Sequence, residues 1–223
     1  MATADARHTT PILDRAIQFL SAVAAAGLCG YALLNLIAMP AVSPGAFVPK
    51  SLAGSQGPVW FGALQVTSVL AFAFALMPVA VMLTIRKYHV HPQAIVIAGV
   101  LLCLALLLEI ENNLPVLGAV IYPEPLAQVP ADVALRLRQS AAIRYLSFDV
   151  AGFSVLYVSL LVYSAIFWKT TRVLALLNVA SVVAFTLSAP FLWISGIVAV
   201  VLLVVAVFAA APVPVILGRL ATE

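Results

Sequence analysis

Charge is what this chain has least of. Lysine, arginine, aspartate and glutamate make up 9% of its 223 residues, against about a quarter in soluble domains. A wettable surface around a water-soluble core is excluded. Histidine and cysteine are also scarce, at three and two residues. Cys29 and Cys103 fall inside apolar runs. Neither a disulfide framework nor a zinc site, which needs about four ligands, can be assembled from them. They read as small packing residues. His8, His89 and His91 lie outside the apolar runs, so no span offers haem an axial histidine. His89 and His91 have no further ligand nearby, and no metal is expected. Phosphate-binding loops, dinucleotide fingerprints, serine-hydrolase elbows and zinc-protease motifs are missing. No cofactor is expected.

What is present is apolar. Hydrophobic residues are 65% of the chain and the mean hydropathy is +1.17. A helix needs about 20 apolar residues to cross about 30 Å of hydrocarbon. Six such runs are separated by charged or proline-rich breaks, at about residues 17–39, 61–85, 93–110, 145–167, 173–189 and 193–211. The expected fold class is all-α: a polytopic membrane protein, one domain of six transmembrane helices in a single bundle. The polar lead from Met1 to Asp14 precedes a run too long for a signal h-region, so the first run is expected to stay as a span. Pro78 should kink the second span, and Pro115 and Pro190 should lie beyond the third and at the end of the fifth. The arginine-bearing stretch from Ala131 to Arg144 has helical composition and should lead into span four. Spans five and six are joined so closely that they should form an antiparallel hairpin.

The net charge of +3 comes from basic residues beside the runs, which points to lipid headgroups rather than nucleic acid. With the N-terminus inside, inner segments hold Arg7, Arg15, Arg86, Lys87, Lys169, Arg172 and Arg219. Outer segments hold Lys50, Arg136, Arg138 and Arg144. Both termini are therefore expected in the cytoplasm. Ala22, Ala26 and Gly30 place a small-residue stripe on span one, suited to internal packing or to a homo-oligomer seam.

Ionisable groups inside a span are functional candidates by default. Glu109, Asn112 and Asn113 are spaced i, i+3, i+4 and share a face of span three; Tyr145 and Asp149 share a face of span four. Asp149 falls in a first helical turn, where a carboxylate is favoured, and Arg144 or Arg138 could neutralise either acid. These residues could form a polar pocket near the outer membrane face that binds a small polar or cationic ligand or relays protons. They could equally be hydrated, arginine-paired helix ends. Asn35, Gln65 and Asn178 are explained by interhelical hydrogen bonds.

Several pieces carry a resemblance: Phe61-Gly-Ala-Leu through Met77-Pro-Val to Arg86-Lys87, Leu106-Leu-Leu-Glu109, and Asp149-Val-Ala-Gly-Phe153 through Tyr163 to Lys169 and Arg172. In this order of features the chain resembles an uncharacterised bacterial family of six-span membrane proteins, a domain of unknown function. The resemblance implies a six-helix bundle in a bacterial cytoplasmic membrane and brings no activity or catalytic residue with it. The chain departs in its longer proline-rich third loop. Three functional classes stay open: a ligand-binding, transport or accessory protein; a membrane-embedded enzyme acting on a lipid; and a structural subunit of a membrane complex. No catalytic residue can be named, and whether the chain is an enzyme is left open.

Overall fold

The computed structural model describes residues 11–38, 59–121, 130–194 and 196–223, and among them there are helices and turns but no strand. The helices are α1 (Pro11–Ala38), α2 (Val59–Lys87), α3 (Pro92–Ile121), α4 (Ala131–Ile166), α5 (Arg172–Ile194), α6 (Gly196–Ala210) and α7 (Val213–Thr222). The proline-rich stretch expected at 40–60 lies outside the described residues, apart from Val59 and Trp60.

Five stretches are long and apolar enough to cross a membrane: Pro11–Leu34, Gly62–Lys87, Pro92–Gly118, Ser147–Ile166 and Val201–Thr222. The apolar part of α5, Arg172–Ser188, is shorter. The outward faces carry Phe74, Ile97, Val100, Leu107, Leu176 and Val183. Helices that are hydrophobic on every face are membrane spans. The protein is a multi-pass helical membrane protein. Trp60 at one end of the bundle, with Tyr88 and Trp168 at the other, are exposed and suit the two headgroup boundaries.

Each of α1 to α6 packs on its neighbours in sequence, α6 returns to α1, and α7 packs on α1 and α2 rather than on α6. Antiparallel register is visible in single bonds. Ser159 Oγ on α4 donates to the Ala98 carbonyl on α3 at 2.8 Å, and Ser181 Oγ on α5 to the Ala206 carbonyl on α6 at 2.6 Å. Asn178 Nδ2 ties α5 to α4 through the Leu160 carbonyl (3.0 Å) and Ser164 Oγ (2.6 Å). Such bonds contribute about 0.6 kcal/mol each within lipid.

Four expectations need correction. Span three does not stop at 110, because α3 runs through Pro115 to Ile121. Pro190 likewise lies inside α5. A proline removes one backbone bond, and without competing water the rest of the ladder holds. The last expected span does not stop at 211, since its apolar stretch runs on through a turn at Ala211–Pro212 into α7. Finally, Ala22 and Ala26 are exposed rather than packed. The buried face of α1 is Ile17, Ser21, Ala24, Gly27, Leu28 and Ala32. The stretch 131–144 is helical, as expected, and continuous with span four.

α7 buries Val213, Pro214, Leu217, Gly218, Leu220 and Ala221 against α1 and α2. Gly218 rests directly on Ser21, where a side chain would not fit. At the same end, Arg86 Nη1 donates to Asp14 Oδ1 at 2.6 Å and to the Ala221 carbonyl at 2.7 Å. Both charges also suit their helices: Asp14 lies in the first turn of α1 and Arg86 in the last turn of α2. One guanidinium thus joins the start of α1, the end of α2 and the end of α7. Replacing Arg86 by Ala is expected to cost about 1.5 kcal/mol, the lower range for bonds to a charged group. The check is thermal unfolding in detergent, with Asp14→Asn giving a smaller loss because the carbonyl contact survives.

Candidate ligand-binding site

The buried residues of α3 recur at Ile95, Ala98, Leu102, Ala105, Glu109, Asn112 and Val116. Their spacing alternates three and four, the repeat of a helix seam that faces another helix. With Gly99, Leu106 and Asn113 also buried, Glu109 and Asn112 lie on the broad buried side of α3, which packs on both α2 and α4. Glu109 is 1% exposed and Asn113 1%. Asn113 Nδ2 donates to the Glu109 carbonyl at 2.9 Å and stands 3.5 Å from Glu109 Oε2. Glu109 Oε1 is buried with no hydrogen-bond partner.

Across the seam stands Gly152 of α4. A Cβ there would collide with Glu109 Oε1 and lie 3.2 Å from its Cδ. The glycine is what admits the carboxyl group between the helices. Asp149, one turn earlier on α4, is close enough for its charge to act on Glu109. Depth agrees: Glu109 is 17 residues from the start of α3, and Asp149 is 17 from the end of α4. At 1.5 Å per residue both lie about 26 Å from the Arg86 end of the bundle. The two acids meet at one level, roughly a turn short of the far edge of the hydrocarbon.

The other expected members are placed differently. Arg144 is exposed and pairs with Glu111 Oε1 at 3.5 Å, on the outer side of α3, with Phe148 5.5 Å beneath its guanidinium. It does not neutralise Glu109 or Asp149. The side chains of Tyr145, Arg138 and Asn35 lie outside what is described. Asn112 is buried with Glu109. Among the described residues no group of three metal-ligating side chains comes together.

Gly152, Tyr157 and Ser181 join the site without having been singled out in the sequence. Tyr157 is hydrogen-bonded with Ser181 and feels the charge of Asp149. Its ring packs on Phe185 at 5.0 Å and Phe153 at 6.2 Å, with Phe153 and Phe185 6.3 Å apart. A sequence signal for part of this exists. Asp149, Phe153 and Tyr157 repeat every four residues along one face of α4.

The arrangement is two acids, one carboxyl oxygen lacking a donor, and three rings. Compared with models of protein families, with curated proteins and with solved structures, the chain matches none.

Proposed function

We propose that the protein binds a small cationic ligand at Glu109 and Asp149 and takes part in its movement across the membrane. The observation that supports this reading is Glu109 Oε1, buried between two helices with no donor. A charged carboxylate within a span costs up to about 2.5–3.5 kcal/mol at mid-bilayer on insertion scales, and less toward the edge where Glu109 lies. Such a group is retained where a counter-charge or a donor arrives to meet it. Of the described arginine side chains at this end, Arg144 pairs with Glu111 and Arg136 is exposed, which favours a ligand as the counter-charge.

The proposed topology has six crossings in a bacterial cytoplasmic membrane, with both termini cytoplasmic. The 23 residues of α5 span about 34 Å at 1.5 Å per residue, enough for about 30 Å of hydrocarbon. Arg86 touches both Asp14 and Ala221, as an even number of crossings requires. Arg15, Arg86, Lys87, Lys169, Arg172 and Arg219 gather at that end, against Arg136, Arg138 and Arg144 at the other, which fits positive-inside orientation.

The enzyme reading gains no support from the buried serines among the described residues: the hydroxyls of Ser159, Ser181 and Ser188 donate to backbone carbonyls. A homo-oligomer through the first span would use the exposed Ala22 and Ala26.

Thermal unfolding of the purified protein with added sodium or organic ammonium chloride tests the cation site, since a ligand that binds only the folded state raises the midpoint. At least one cation should stabilise the wild type, and Glu109→Gln and Asp149→Asn should lose most of that gain while keeping their unliganded midpoints. A gain that survives in both variants, or none in the wild type, removes the reading.

A further inference from the structure

Three aromatic rings cluster against the same stretch of α4 that carries Asp149 and Gly152. Asp149, Phe153 and Tyr157 lie on one face of α4, and helical side chains lean toward the N-terminal end of their helix. Tyr157 and Phe153 therefore lean up toward Asp149. Phe185 of α5 closes the group from the opposite side, within 5.0 Å of Tyr157 and 6.3 Å of Phe153, centroid to centroid. Phe153 and Tyr157 are buried. Beside them Gly152 contributes no side chain and leaves Glu109 Oε1 facing α4.

We infer that the ligand is an organic ammonium ion carrying at least one N–H, held by the carboxyl groups of Glu109 and Asp149 and by the rings of Phe153, Tyr157 and Phe185. This rests on reading the pocket as a cation site. A metal cation would need several oxygen ligands at short range, and the rings offer none. Aromatic faces instead attract a diffuse, weakly hydrated cation, most strongly where water is excluded. The donor requirement comes from Glu109 Oε1, which has an acceptor site unfilled; an N–H fills it with a charge-assisted bond. Among the described residues, the charged groups facing this region from the packed helices are Glu109 on α3 and Asp149 on α4. The described part of α5 beside it contributes Ser181 and Phe185.

The test is titration calorimetry of the purified full chain in detergent, with triethylammonium chloride as probe and sodium chloride as comparison. Triethylammonium should bind saturably. Tyr157→Leu and Phe185→Leu should each weaken it about five- to tenfold. Tyr157→Phe keeps the ring and should stay within about twofold. Gel filtration and circular dichroism confirm folding. Should Tyr157→Leu fail to fold, Phe185→Leu, at a partly buried position, decides. Unchanged binding in the leucine variants overturns the inference. Binding of sodium alone, lost in Glu109→Gln, overturns it while leaving the cation site standing. If neither ion binds the wild type, both fall.

Discussion

A leucine in place of Gly27 is expected to abolish recovery of a folded, monodisperse protein. A Cβ at this position would stand 2.6 Å from the Ser68 carbonyl oxygen and 2.8 Å from the Phe72 nitrogen. Both are backbone atoms inside α2, so no rotamer change can make room. In lipid, helices associate through close packing rather than hydrophobic drive, and α1 has its main contact here. Pushing the helices apart would loosen Ala24, Leu28 and Phe72 together. The expected cost is at least about 3 kcal/mol, the upper range for overpacking. Even Gly27→Ala should show a clear loss in detergent thermal unfolding. Gly30→Ala is the control: its Cβ would meet only the Ser68 hydroxyl, at 3.1 Å, and a mild effect is expected. Equal behaviour of the two alanine variants would show that α1 does not seat on α2 at Gly27.

Gly152→Val should cost about 2–3 kcal/mol, and here the cause can be isolated. The obstructing atoms are the Glu109 carboxyl group and its Cγ, 3.6 Å away. They belong to a side chain that can be shortened. Glu109→Ala made together with Gly152→Val should therefore recover much of the loss. Non-additivity of 1 kcal/mol or more, on the order expected for residues in contact, measures the contact directly. Strict additivity would mean that Glu109 does not lie over Gly152.

How far this could be read in advance differs by level. Spans one, two and four were legible because hydropathy and flanking charge agree there. Pro115 and Pro190 misled in the same way. A proline near the end of an apolar run reads as a terminator, yet in α3 and α5 the helix continues past it. At Pro212 the residue that stops α6 also opens α7, since proline suits the first positions of a helix. The grouping of Glu109, Asn112 and Asn113 was legible because it depends only on helical spacing within one segment. That they are buried was also legible in principle: the seam Ile95, Ala98, Leu102, Ala105 leads straight to them. Gly152 as the partner of Glu109 was not, because it depends on the register between α3 and α4. The pairing of Arg144 with Glu111 was not legible, because Glu109 and Glu111, two residues apart, point to different sides of the same helix.

The Arg86 contact also bears on how the molecule is made. Arg86 and its acceptor at Ala221 are 135 residues apart in the chain. The α1–α2 hairpin can therefore leave the translocon long before α7 has been translated, with its groove for Leu217 and Leu220 vacant and its guanidinium short of an acceptor. In the proposed topology α7 docks onto this hairpin from the cytoplasmic side. Chains stalled or cleaved before α7 would display that open groove, a ready mark for membrane quality-control proteases.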